Sequence, residues 1–204
     1  MALSQTGKKV LLVDTDLRKP VLHRIFHCKR GPGIVNVLVE DDWKNMLGKA
    51  LRQTQSENLT LLPCGHVPPN PNEMLGSDKM GQVIDLLAQQ YEFVLFDSPP
   101  LLTVSDAMVL AQRVEGVLLV VRGGFTTKAS LRNTVEHLRK ANTDIMGVVL
   151  NDVDFSRERY YYAYHYKYYK SYYAYGEEGE KASGKAKHAG RKKQGKKGDR
   201  RPRA

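Results

Sequence analysis

Short apolar runs recurring between longer amphipathic stretches constrain this chain more than any other feature. The runs are residues 10–13, 59–62, 93–96, 117–121 and 145–150, each rich in Val, Leu, Ile or Phe. Runs of four to eight such residues read as strands buried on both faces. Between them lie helical segments, most clearly 126–141, where Leu131, Val135 and Leu138 recur at helical spacing. Another helix starts at Asn70-Pro71-Asn72-Glu73: Asn70 can cap, Pro71 suits the first helical position, and Glu73 can close a capping box. Met74, Met80 and Met108 fall within helical patterns and are assigned to the core. Strand–helix alternation predicts an α/β domain with a mostly parallel sheet flanked by helices. Ligands of such sheets sit beyond the carboxyl ends of the strands.

Two of the strands end in aspartate. The stretch VLLVDTDLRKP places Asp14 and Asp16 just past Val13, and FVLFDSPP places Asp97 just past Phe96. A rigid strand that ends in a carboxylate is suited to holding Mg²⁺, a hard cation that takes oxygen ligands and keeps several waters. A single such aspartate is more often a turn or helix cap. Two strands ending in D-x-D-x-R and D-x-P-P weaken that alternative.

Residues 156–204 obey a different rule. Ten of the eleven tyrosines stand between Tyr160 and Tyr175, and no Val, Ile, Leu, Met or Phe follows Phe155. Such a segment cannot bury enough surface to offset its ordering entropy, which predicts a disordered tail. Charge divides the same way. Residues 1–159 hold 19 Lys and Arg against 18 Asp and Glu, whereas residues 160–204 hold 13 against 4, a net of +9. The basic end is either a solvated arm or a contact for anionic lipid or nucleic acid. The organisation predicted is a folded domain over 1–155, a tyrosine cluster over 156–175 and a basic low-complexity tail over 176–204.

Cys28 and Cys64 have no metal or redox spacing, and no apolar run reaches membrane-spanning length. The N-terminus also lacks a signal peptide's apolar segment, so the chain reads as cytoplasmic. His23, His27 and Cys28 lack further ligands at a suitable spacing, so no metal site is assigned there.

These motifs together resemble a known group. LLVDTDLRKP is similar to the Walker A′ motif, and FVLFDSPP to the Walker B motif, of the bacterial tyrosine kinases of capsule and exopolysaccharide synthesis. HVPPNPNEML resembles that family's proline-rich helix entry, GVVLND at 147–152 its last strand end, and the tyrosine cluster completes the order. Partitioning and cell-division-site ATPases of the same deviant P-loop superfamily share D-x-P-P. The resemblance implies ATP and Mg²⁺ as cofactors, with Asp14, Asp16 and Asp97 catalytic. It gives Asp97 a water-mediated hold on the metal. Asp14 would lie near metal and phenol as general base, with Asp16 supporting both. Arg18 would serve the nucleotide site electrostatically or form a surface salt bridge, and Asn151 would read the adenine edge or start a turn. The acceptors implied are Tyr160, Tyr161, Tyr162, Tyr164, Tyr166, Tyr168, Tyr169, Tyr172, Tyr173 and Tyr175. Further implications are a homo-oligomeric ring, a transmembrane polysaccharide co-polymerase-type adaptor, a tyrosine phosphatase, and a peripheral place at the inner membrane face.

One part of the pattern has no counterpart. A phosphate-binding loop reads G-x-x-x-x-G-K-[ST], and neither Gly7-Lys8-Lys9 nor Gly123-Gly124 fits it. Met1–Thr6 followed by Gly7 reads as the last turn of the helix that follows such a loop. The resemblance therefore implies a fold without its first strand and P-loop. It also predicts that the neighbours of that strand expose unpaired edges and apolar faces.

Overall fold

A computed structural model describes residues 1–153; the tyrosine cluster and the basic tail lie outside the described residues. The first sheet carries the order β2-β3-β1-β4. Its strands are β1 (Val10–Asp14), β2 (Arg52–Gln53), β3 (Leu59–Leu62) and β4 (Phe93–Asp97). β1 runs parallel to both β3 and β4, and β2 is a short antiparallel edge on β3. A second sheet pairs β5 (Val117–Arg122) in parallel with β6 (Ile145–Asn151). The five apolar runs thus become five strands, and the parallel α/β architecture is the one expected.

Helices fill the crossovers. α1 (Ala2–Gln5) ends before Gly7, whose φ of +83° is the left-handed conformation expected of a C-terminal glycine. α2 (Leu22–Ile25), α3 (Ile34–Val39) and α4 (Trp43–Ala50) lie between β1 and β2. α3 starts against the exit of β3: Ile34 and Val35 donate their amides to the carbonyls of Pro63 and Cys64. α5 (Pro71–Gly76) and α6 (Asp78–Gln90) precede β4, α7 (Asp106–Ala111) joins β4 to β5, and α8 (Lys128–Lys140) joins β5 to β6. Ser77 caps α6 through the Met80 amide, and Thr127 caps α8 through the Ser130 amide. At α5 the capping differs from expectation. Asn70 donates its side-chain amide to Glu73, and no side-chain cap reaches the backbone.

The core gathers Leu11 and Val13 of β1, Leu62 of β3, Ile34, Val35 and Val37 of α3, and Met80, Val83 and Leu87 of α6. Burial on both faces holds for β1 and β3 but not for the later strands. β4 alternates exposed with half-buried positions, and outward residues of β5 and β6 are open to solvent. Identical residue types therefore meet different surroundings, because no strand links β4 to β5 among the described residues.

Candidate active site

The parallel pairing of β1 and β4 sets Asp14 directly beside Asp97. Both stand at carboxyl ends, where an α/β sheet presents its ligand site. Thr15 fastens these ends together. Its amide donates to the Asp97 carbonyl at 2.9 Å and its hydroxyl to the same oxygen at 2.6 Å. The side chain is fully buried. Thr15 escaped sequence reading, although its place between Asp14 and Asp16 was visible.

Asp14 is fully buried. Its Oδ2 accepts the Leu22 amide at 3.1 Å, while Oδ1 has no partner. Burial pushes its carboxyl up to about 6, with help from the charges of Asp97 and Asp16 and against the Leu22 amide. Asp97 faces outward on β4 and is also raised, first by partial desolvation and then by the Asp16 charge. Asp16 bends the following turn, accepting the amides of Arg18 and Lys19 at 3.1 and 2.9 Å. Its carboxylate therefore acts at least as a turn cap.

Arg18 reaches away from this turn to Asp106, the first residue of α7. Nε donates to Oδ2 at 2.6 Å and Nη2 to Oδ1 at 3.0 Å, a two-pronged pair in which only the arginine is open to water. Asp106 was also missed: nothing about its place in the sequence marks a buried carboxylate. Asn151 stands at the end of β6 in the second sheet, exposed, with its carbonyl accepting the Gly123 amide. The structure thus brings together Asp14, Asp16 and Asp97, while the Arg18 guanidinium turns to Asp106. Asn151 shares with them only its position at a strand's carboxyl end.

The residues fit a divalent cation. A buried carboxylate oxygen without a donor, beside a second carboxylate, is an unfavourable arrangement that a cation would relieve. Among the described residues no three ligating side chains converge on one point. Mg²⁺ is commonly held by one or two carboxylates with waters and phosphate oxygens completing its shell.

Paired carboxylates at adjacent carboxyl ends of a parallel sheet mark the ligand-facing side of an α/β protein, and the comparisons with known proteins narrow the class. The family model described as an AAA domain matches residues 1–146. Tyrosine-protein kinase YwqD of Bacillus subtilis is 34% identical over 161 residues, covering 79% of this chain and 67% of that protein. Tyrosine-protein kinase Wzc of Salmonella typhi is 33% identical, but the chain spans only 22% of its length. Among solved structures, the chimerical protein CapA2B2 superposes with a TM-score of 0.70 at 33% identity, covering 74% of this chain and 66% of that one. The kinase domain of the Escherichia coli tyrosine kinase ETK gives 0.69 at 34%, covering 74% and 58%. The septum site-determining protein MinD of Pyrococcus horikoshii, complexed with Mg-ADP, gives 0.59 at 30%, covering 73% and 60%. The chain belongs to the bacterial tyrosine-protein kinase family and has its P-loop-NTPase-like fold. No helix of the described residues is long and apolar enough to cross a membrane.

Proposed function

We propose that these residues form part of a tyrosine autokinase that moves the γ-phosphoryl group of ATP to tyrosine hydroxyls of its own C-terminal cluster, in trans between subunits of a ring. The observation that carries this reading is the Asp14–Asp97 pair, with one buried Asp14 oxygen lacking a partner. Bound Mg²⁺ would neutralise charge on the phosphates. Asp97 would orient it through water, and Asp14 would hold its near side. Asp14, beside the metal, would also be placed to accept the phenol proton as the phosphoryl group leaves ATP. Asp16 keeps the turn closed, and Arg18, anchored on Asp106, adds positive charge beside the phosphates. Asn151 would read the adenine edge.

The reading extends to its setting. The activity would govern capsular or exopolysaccharide synthesis and export, at the inner face of the cell membrane, through a transmembrane co-polymerase-type adaptor and opposed by a tyrosine phosphatase. Each phosphotyrosine adds about −1.5 to −2 charges. With a net of +9 on residues 160–204, about five or six modifications would neutralise the tail and release it from anionic membranes. A synthetic 156–204 peptide should bind anionic vesicles in a salt-dependent way and lose that binding with six phosphotyrosines. Binding indifferent to both would remove the membrane contact from the proposal.

A second reading has its own support: the sequence holds no phosphate-binding loop, so these 204 residues lack the amides and lysine that cradle ATP. On that reading the chain is a phospho-acceptor or scaffold for a complete kinase. We expect the purified chain not to label itself with Mg²⁺ and ATP, but to be labelled at tyrosine by a complete family kinase. Robust self-labelling by a preparation free of other kinases would overturn the inactivity. In a chain fused to a family phosphate-loop segment, Asp14→Asn, Asp16→Asn and Asp97→Asn should each abolish most labelling. Wild-type rates in all three would overturn the kinase assignment.

A further inference from the structure

Between Asp16 and Glu40 the chain holds Arg18, Lys19, Arg24, Lys29 and Arg30 and not one Asp or Glu. Arg18 is paired with Asp106, but among the described residues Lys19, Arg24, Lys29 and Arg30 enter no salt bridge, and all four are exposed. The fold draws them to one surface. The Cys28 amide donates to the His23 carbonyl at 2.9 Å, closing α2 with a turn through His27, whose φ is +50°. The Gly65 amide then donates to the Arg30 carbonyl at 3.0 Å and ties that turn to the exit of β3. Arg52 completes the group. Its Nη2 donates to the carbonyls of Gly31 and Pro32, and its Nη1 to those of Lys49 and Leu51, so its partners are neutral and its charge stays uncompensated.

The neighbours feel this field. Desolvation, then the charges of Arg24 and Arg30, hold the His23 imidazole below its ordinary value. Burial pushes the Cys64 thiol up to about 12; Asp14 and Asp16 add to the rise and Arg30 opposes it, so the cations border the aspartate site. Like charges gathered without carboxylates repel one another, and a bound anion relieves that repulsion. Three of the five unpaired cations are arginines, whose planar fork matches phosphate. Among them stands Ile25, 62% exposed. One aliphatic side chain beside phosphate donors fits a single aromatic ring that carries a phosphate. It is too little to seat in a bilayer, which takes a whole apolar helix face.

We propose that the surface made by α2, the turn after it and Arg52 binds phosphotyrosine in the modified 160–175 cluster of a second copy of this chain, with the phosphate on Arg24, Arg30 and Arg52 and the ring on Ile25. The unmodified cluster has two lysines and no carboxylate, a net of +2, and the surface repels it. Three phosphates of about −1.5 to −2 charges each carry that segment to about −3, and the surface then attracts it. The first transfers would thus hold the cluster beside the aspartates for the later ones. The proposal rests on the autokinase reading only for the origin of the phosphate. Synthetic phosphopeptides test the surface whether or not the chain transfers phosphate.

The test uses the full 204-residue chain and labelled 160–175 peptides with no phosphotyrosine, with three, or with glutamate at the same three positions. The phosphopeptide should bind about tenfold or more tighter than the unmodified one, and severalfold tighter than the glutamate peptide. Arg24→Gln with Arg30→Gln should cost about tenfold, while Arg132→Gln with Arg139→Gln, the same charge change on α8, should cost little. Arg52→Lys keeps the charge but loses the fork, and should weaken the phosphopeptide severalfold and the glutamate peptide less. Ile25→Ser should weaken it too. Equal affinity for the three peptides, or equal losses in the α2 and α8 double variants, would overturn the proposal. So would anionic vesicles that bind the chain through Arg24 and Arg30 when the phosphopeptide does not, because the surface would then be a membrane contact.

Discussion

β1 and β5 are both short parallel strands of Val and Leu, yet one is sealed and the other open. Val10, Leu11 and Val13 are buried to 1% exposure or less, whereas Leu118 and Val120 of β5 lie more than half exposed. β6 continues the contrast, with Met146, Val148, Val149 and Leu150 all exposed. Composition decides that each is a strand, but neighbours decide what it contributes to stability. Asp14 and Thr15 are fixed because β1 is held between two strands, while Asn151 hangs on the open sheet.

Truncation tests the contrast most directly. Leu11→Ala removes a fully buried side chain and should cost about 3–4 kcal/mol, whereas Leu118→Ala should change stability by about 0.5 kcal/mol or less. Chemical denaturation of both variants measures this, and equal losses would erase the distinction.

Asp14 offers the next largest effect, and it depends on pH. Its carboxyl rises from 3.8 to about 6 on folding, so the folded chain holds a proton that the unfolded chain has released. Stability from this group is therefore present in full below about 4 and lost as pH rises through about 6. Asp14→Asn abolishes that loss and should stabilise the metal-free protein at pH 7.5 by on the order of 2 kcal/mol, with little difference at pH 3.5. Excess Mg²⁺ should narrow the gap by stabilising wild type alone. A variant less stable than wild type at pH 7.5 without Mg²⁺ would show that the buried carboxylate is already compensated.

Much of this contrast was legible in the residues. The apolar runs at 10–13, 59–62, 93–96, 117–121 and 145–150 mark every strand but β2, whose two residues, Arg52 and Gln53, are too few and too polar to announce themselves. Asp14 and Asp97 close β1 and β4 as the motifs predicted, and Asp16 lies in the turn beyond β1. An apolar run cannot reveal whether both its faces are covered, since β1 and β5 read alike. Asp106 and Thr15 stayed hidden for another reason. Their importance comes from burial against residues 88 and 82 positions away in sequence, which no local pattern encodes. Nor could spacing foretell that Arg18 would find a carboxylate partner on α7.

Thr15 gives the smallest expected effect and the sharpest probe of how far the two sheets are separate. Thr15→Val keeps the shape but deletes the 2.6 Å hydrogen bond to the Asp97 carbonyl. That oxygen still accepts the Thr15 amide, so it is not orphaned, and the loss should be about 1 kcal/mol. If the first sheet opens as its own unit, exchange should quicken at residues 10–14 and 93–97 while residues 117–122 and 145–151 keep their wild-type rates. Mg²⁺ affinity should fall a little as Asp97 gains freedom beside Asp14. Equal quickening in β5 and β6 would mean that the sheets share one cooperative core, and the contrast would then lie only in exposure.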